Sequence, residues 1–298
     1  MTTQKRVLVT GANKGIGLAI VRAILESEDD SFVFLGSRSM ERGREARRQL
    51  LDDEPHWKGR VEVLQIDVAD DGSVAGAARS VKDRFEGEEA PLYGVVNNAG
   101  IGLGSAAMEE VLDVNTRGPH RVCEAFLPLL DDERGRIVNI SSASGPNFVA
   151  ACSEKRQKVL TNPEVTWEKV ESLMAECLEL DAGVGAFQSA GLGDGSPYGL
   201  SKACLNAYTI ALAREHPNLM VNACTPGFIE TDLTRPYAER QGVAPEELGM
   251  KPPEEATKAP LFLLFGEPGG SGWYFGSDAE RSPLDRYRSP GDPPYRGE

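Results

Sequence analysis

Short apolar runs rich in β-branched residues recur along the chain, at Arg6–Thr10, Ser31–Leu35, Val61–Ile66, Tyr93–Val96, Gly135–Ile140 and Leu219–Ala223. Longer stretches with apolar positions at helical spacing separate them, the signature of repeated βα units. Strands joined through helices need right-handed crossovers, so they pair in parallel beneath helices on both faces. The pattern therefore predicts an α/β, doubly wound, mostly parallel sheet. With Gly272–Phe275 as a short seventh strand, it makes a single domain spanning residues 1–275.

Two segments break this rhythm. Between the strand ending at Ser142 and a helix carrying Tyr198 lie about 50 residues, where a βα connection ordinarily takes about 2–6. The excess, at about 146–196, reads as a helical insertion. Within it Thr161-Asn-Pro-Glu164 has the form of a capping box with an early proline, and Val165, Val170, Leu173, Met174, Cys177 and Leu178 follow at helical spacing. The glycine-rich return limb, residues 183–195, reads as a mobile surface loop. The second segment, residues 276–298, is rich in Pro, Arg, Asp and Gly. It reads as an irregular tail, either disordered or laid along the surface, with disorder the expectation.

Composition narrows the partners. Thirty-two basic against 46 acidic residues leave a net charge of -14, which repels a polyphosphate backbone and argues against nucleic acid. An anionic ligand must then be held by a local cluster of cations and helix N-termini. The five cysteines show neither Cys-x-x-Cys nor zinc spacing, and the three histidines are scattered. That pattern argues against a disulfide framework or a metal centre and for a reducing, cytoplasmic setting. No apolar run approaches the ~18 residues of a membrane span.

Candidate chemistry lies at the ends of the strands. The run Thr10-Gly-Ala-Asn-Lys-Gly-Ile-Gly17 follows the first strand and opens a helix. Gly11, Gly15 and Gly17 there allow a tight turn and close approach of a pyrophosphate, while the helix N-terminus offers free amides to the anion. Where an acidic side chain would grip the ribose of NAD, the second strand ends in Gly36-Ser-Arg38. Arg38 and Lys14 are cations suited to a 2′-phosphate, which favours NADPH over NADH; Arg38 is also compatible with a solvated strand-end residue. Asp67 and Val68 close the third strand where an adenine would lie, and Asn97-Asn-Ala-Gly100 closes the fourth with small residues that let a cofactor pass closely.

Tyr198 and Lys202 stand four apart, on one face of a helix. A tyrosine with an ordinary pKa of about 10 is a poor acid or base near neutrality, and a neighbouring cation stabilises its phenolate. Ser142 ends the fifth strand in Asn139-Ile-Ser-Ser142. Asn115 lies four residues before Pro119, which has no N–H, so in an ordinary helix the Asn115 carbonyl would lose its partner.

Taken in order, Thr10–Gly17, Asn97–Gly100, Asn115, Ser142, Tyr198, Lys202 and Pro226-Gly227 resemble the motifs of the short-chain dehydrogenases/reductases over residues 5 to 275. The insertion, with its Cys152–Lys158 run, resembles the monomeric NADPH-dependent carbonyl reductases. The resemblance implies a Rossmann fold and a monomer, since the insertion blocks helix-mediated assembly. Catalytic roles fall to Asn115, Ser142, Tyr198 and Lys202. Tyr198 is implied to act as general acid/base, Lys202 to lower its pKa and hold the nicotinamide ribose, Ser142 to bind the substrate oxygen, and Asn115 to anchor a water. Cofactor contacts fall to Gly11, Asn13, Lys14, Gly15, Ile16, Gly17, Arg38, Asp67, Val68, Asn97, Ala99, Gly100, Tyr198, Lys202, Pro226, Gly227, Ile229 and Thr231. Residues 232–250 would form a substrate lid, and Cys224, which matches a cysteine near the substrate cleft, is expected to be buried and inert.

The implied reaction is hydride transfer from NADPH to the carbonyl of aldehydes, ketones or quinones. A dedicated steroid, terpenoid or alkaloid ketone dehydrogenase would use the same residues. A non-catalytic NADPH-binding redox sensor is the reading from another class, and the filled catalytic positions weigh against it.

Overall fold

The computed structural model describes residues 4–102, 106–180 and 185–297. Its sheet contains β1 (Lys5–Val9), β2 (Ser31–Ser37), β3 (Val61–Gln65), β4 (Gly94–Asn97), β5 (Arg136–Ile140), β6 (Met220–Cys224), β7 (Tyr274–Phe275) and β8 (Arg281–Ser282). The order is β3-β2-β1-β4-β5-β6-β7-β8. The seven strands expected from the pattern pair in parallel. The tail adds an eighth, antiparallel, with Tyr274 opposite Ser282.

The helices are α1 (Gly15–Ser27), α2 (Met40–Asp53), α3 (Asp71–Arg84), α4 (Met108–Leu112), α5 (Gly118–Phe126), α6 (Ser144–Ala151), α7 (Glu154–Leu160), α8 (Trp167–Leu180), α9 (Ala186–Ser189), α10 (Pro197–Glu215), α11 (Arg235–Gln241) and α12 (Lys258–Phe265). Alternate strand residues feed two cores, one on each face. Leu8, Phe34, Val95, Ile137 and Val221 pack with residues of α3, α5 and α10. Val7, Val9, Val33, Leu35, Val96 and Val138 pack with residues of α1, α2 and α12. Strands apolar at successive positions are what a sheet covered on both sides requires. The chain order reverses between β1 and β4, so the crevice for a ligand opens at their carboxyl ends.

The insertion builds a third core. Val165, Val170, Leu173, Met174 and Cys177 pack with Met108, Leu112, Leu200, Ala203, Cys204 and Ala207, each large side chain contributing about 1.5–3 kcal/mol by leaving water. Sheet on one side and insertion on the other bury α10 almost all round. The proposed capping box is out of phase with α8, which begins at Trp167. Thr161 instead bonds back to the Gln157 carbonyl at 2.9 Å, and Asn162 Oδ1 accepts from Glu164 N at 2.9 Å. Side chains of this type compete for nearby backbone, so the same four letters suit a turn between two helices. Of the return limb, residues 183–184 lie outside the described residues; the remainder carries α9 and the fully buried Leu192, which ties it to the insertion core.

The tail takes the surface-laid course. Arg288, only 9% exposed, donates to Ser282 Oγ at 3.0 Å, to the Ser289 carbonyl at 3.1 Å, to the Asp292 carbonyl at 2.7 Å and to the Asp278 carboxylate. Asp278 also accepts from Gly291 N at 3.1 Å. A buried guanidinium so fully engaged orders a segment with few apolar residues, which composition alone does not reveal.

Candidate active site

Three chain turns meet at the crevice. The first is the loop after β1. Gly11 and Gly15 have φ of +64° and +55°, conformations that favour glycine. A Cβ on Gly17 would stand 2.5 Å from Asn98 Nδ2 and 2.6 Å from the Gly11 carbonyl. Asn13 and Ile16 occupy the same turn. Thr10 and Asn98, which the sequence reading did not single out, lock it. Thr10 Oγ1 accepts from Asn98 N at 3.0 Å and Ala99 N at 3.1 Å, and Asn98 Nδ2 donates to the Thr10 carbonyl at 2.9 Å. Both lie within the quoted runs, but their pairing spans 88 residues and only the parallel β1–β4 register creates it.

The cradle left by Gly11, Gly15 and Gly17, at a helix N-terminus, fits a dinucleotide diphosphate. The exposed Arg38 directly follows β2 and has no side-chain partner among the described residues, consistent with an anion contact. Lys14 pairs with Asp232 at 2.5 Å, both largely exposed, and Thr231 Cγ2 lies 3.4 Å from where a Gly15 Cβ would be. The Pro226–Thr231 segment thus comes over the glycine loop. Its turn is pinned by Thr234 Oγ1, which donates to the Ile229 carbonyl at 2.6 Å, and Gly227 has φ +98°. Asp67 caps its own turn by accepting from Ala69 N at 3.1 Å, and Val68 is buried against Gly118. Asn97 is buried and donates to Asn139 Oδ1 at 2.9 Å, so its side chain faces the interior of the sheet rather than the crevice.

Ser196 caps α10 by accepting from Gly199 N at 3.3 Å, with Pro197 in the first turn. This sets Tyr198 and Lys202 at the crevice. Lys202 is buried, 4% exposed, and its Nζ donates to the Ile140 carbonyl at 2.9 Å and stands 5.6 Å from the Tyr198 ring centre. Burial pulls its pKa down to about 8. The Tyr198 phenol is pushed up to about 12, burial raising it and the hydrogen bond from Ser142 opposing the rise. Contrary to the expectation that Lys202 lowers it, the phenol rises, with desolvation dominant and Ser142 the group that opposes it. Ser142 is itself oriented by Ser144 N, which donates to its Oγ at 3.1 Å.

Asn115 lies in a π-helical turn, Asp113–Arg117, where Gly118 N bonds the Asp113 carbonyl. This widened turn directly precedes Pro119, whose missing N–H breaks the ordinary ladder. The fully buried Asn115 side chain accepts from Ile101 N at 2.9 Å and donates to the Ile101 carbonyl at 2.9 Å and Ser201 Oγ at 3.1 Å. Ser201 donates in turn to the Tyr198 carbonyl at 2.8 Å. Asn115 and Tyr198 are thereby coupled through a serine that no sequence signal marks. All five cysteines are buried without disulfides, and burial drives the Cys224 thiol well above its ordinary value. Among the described residues no group of three or more His, Cys, Asp or Glu could hold a metal ion, and no helix is long and apolar enough to cross a membrane.

A doubly wound fold whose switch-point crevice holds a tyrosine, a serine and a buried lysine defines an oxidoreductase of the nucleotide-binding class. The chain belongs to the short-chain dehydrogenase family, whose profile, described as short chain dehydrogenase, matches residues 5–153. It is 33% identical to (+)-neomenthol dehydrogenase of Arabidopsis thaliana, over 87% of this chain and 96% of that protein. It is 32% identical to carbonyl reductase (NADPH) 1 of Homo sapiens, over 89% and 92%. The structure of salutaridine reductase from Papaver somniferum superposes with a TM-score of 0.74 at 27% identity, covering 91% of this chain and 99% of that one.

Proposed function

We propose that the protein is an NADPH-dependent reductase acting on the carbonyl of aldehydes, ketones or quinones to give alcohols. The observation that carries this reading is the meeting of Tyr198, Ser142 and the buried Lys202 beside a glycine cradle. NADPH, when bound, supplies the hydride. The loop Gly11 to Gly17, with Asn13, Lys14, Gly15 and Ile16, would hold its diphosphate, Arg38 with Lys14 its 2′-phosphate, and Asp67 and Val68 its adenine. The main chain of Asn97, with Ala99 and Gly100, would wall the channel, Lys202 and Tyr198 would hold the nicotinamide ribose, and Pro226, Gly227, Ile229 and Thr231 the nicotinamide amide.

Tyr198, which its high pKa keeps protonated at neutral pH, gives its proton to the substrate oxygen and takes it back in the alcohol-to-carbonyl direction. Ser142 donates a hydrogen bond to the same oxygen and stabilises charge building there. Because the Asn115 side chain is committed to Ile101 and Ser201, its main-chain carbonyl is the group left for a water that returns a proton to Lys202. The protein acts as a monomer in this reading. Supporting that, Arg117 of the π-helical turn pairs with Glu171 at 2.6 Å and His120 stacks on Trp167 at 3.9 Å, so the insertion's α8 contacts the π turn and the start of α5. Five buried thiols suit a reducing cytoplasm.

Absorbance of the reduced nicotinamide, followed with NADPH and NADH against menadione, an isatin, a cyclic monoterpenoid ketone and a steroid ketone, tests the reading; no oxidation with any carbonyl overturns it. The terpenoid and alkaloid names among the relatives favour a second version, a dedicated cyclic-ketone reductase. One dominant kcat/KM in the panel selects that version, and broad modest values select the generalist. Arg38→Asp should weaken NADPH binding by about 10–100-fold, the loss of charge-assisted hydrogen bonds worth about 1.5–3 kcal/mol, while NADH binding holds; equal loss for both cofactors contradicts the 2′-phosphate contact.

The Lys202 ammonium carries a pH prediction. With its pKa depressed to about 8, the charged form is complete below that value and is lost as pH rises through it. The kcat/KM for NADPH, which reports the free enzyme, is expected to be flat from pH 6 to 7 and to fall above 8. A profile level to pH 10 would contradict the assignment.

A further inference from the structure

We infer a second ligand site, for a flat organic carboxylate, where the insertion and the tail meet. A cavity of about 540 Å³, within the usual range for small-molecule pockets, lies between α10, the turn before β7, the start of the insertion's α7–α8 connection and the tail. Its walls include Ile210 and Arg214 of α10, Pro163, Trp273, Arg281 and Tyr295. Ile210 and Arg214 come 12 and 16 residues after Tyr198 on one helix, which at 1.5 Å per residue is about 18–24 Å along the axis from the Tyr198 backbone. The cavity is separate from the reduction site.

Arg281 is the feature that points to an anion. Its guanidinium lies 3.7 Å from the Trp273 ring centre and 5.4 Å from that of Tyr295. Stacking of this kind immobilises the planar cation and strips water from its faces. No carboxylate or carbonyl among the described residues accepts a hydrogen bond from its side chain, unlike Arg288 seven residues on, whose donors are engaged. Across the cavity Arg214 is held by the Pro163 carbonyl at 3.3 Å and by Glu164 at 3.6 Å. Asp285, on the rim, is paired with Arg286 at 3.0 Å. In a chain of net charge -14, a half-buried arginine with an unused fork, between aromatic and aliphatic walls, is a local anion site against the overall field. The fork matches a carboxylate, while Trp273 and Ile210 offer apolar surface to a flat ring.

Pro163 comes from the insertion and Arg281 and Tyr295 from the tail, the two segments that depart from the βα rhythm, so a bound acid would tie tail to insertion. The test is calorimetric titration of the NADP+-saturated full chain with 2-naphthoate. Saturable binding in the micromolar to low-millimolar range is expected, with Arg281→Gln and Arg214→Glu each weakening it at least tenfold while carbonyl turnover stays at the parent level. Arg214 sits on the surface of α10, so its variant remains informative if Arg281→Gln does not fold. Absence of saturable binding, undiminished affinity in the folded variants, or competition by a carbonyl substrate would each overturn the site.

Discussion

Tyr198→Phe is expected to lower kcat for carbonyl reduction by about 10³-fold or more, within the range that a positioned general acid contributes. The ring stays in place against its neighbours, so only the hydroxyl and its proton are removed. NADPH affinity, read by quenching of protein fluorescence, should change by less than about tenfold, the worth of one ribose hydrogen bond, because binding is separable from the transition-state contact. The high phenol pKa of about 12 means that nearly every molecule of the parent enzyme carries this proton at neutral pH, so the loss should be independent of pH between 6 and 8. A variant retaining more than a tenth of parental turnover would remove Tyr198 from the reaction and leave Ser142 or a water as the acid.

Gly17→Ala is expected to abolish measurable NADPH binding, weakening it by about 100-fold or more, and to lower stability by about 1–3 kcal/mol. Its new methyl would meet Asn98 Nδ2 at 2.5 Å, the Gly11 carbonyl at 2.6 Å and Ala12 Cα at 2.8 Å. Two of these are backbone atoms of the cradle itself, and the third belongs to the side chain that ties β4 to β1. Relief of the clash must therefore open the loop whose amides would face the diphosphate in the proposed function. Thermal unfolding and fluorescence titration check the two effects together. An alanine variant with parental affinity would show that the cofactor does not approach this turn. The contrasting control is Gly59→Ala, a glycine with open space around it but φ +89°, which should cost some stability through backbone strain and leave cofactor binding intact.

Much of the fold was legible because its signals are local. β-Branched runs alternating with helical periodicity define a parallel sheet before any contact is known, and the glycines at 11, 15 and 17 announce a tight strand-to-helix turn. Tyr198 and Lys202 were readable because a helix puts positions four apart on one face. The misreadings were also local in origin. Thr161–Glu164 carries the letters of a helix start but serves a turn, since short polar side chains satisfy whichever backbone lies nearest. The tail reads as disordered by composition, yet one buried arginine orders it.

The amino-acid sequence alone thus determined the class of fold; it put forward the nucleotide loop by the spacing of its glycines, Tyr198 and Lys202 by helical spacing, and Ser142 by the family resemblance. The tertiary structure decided what depends on distant partners. Ser201 links Asn115 to the Tyr198 backbone, Thr10 and Asn98 lock the glycine loop, burial sets opposite shifts on Tyr198 and Lys202, and the tail supplies an eighth strand. Hydrogen bonding and desolvation act through space, so residues 80 or more positions apart acquire these properties only when parallel pairing brings their strand ends to one crevice.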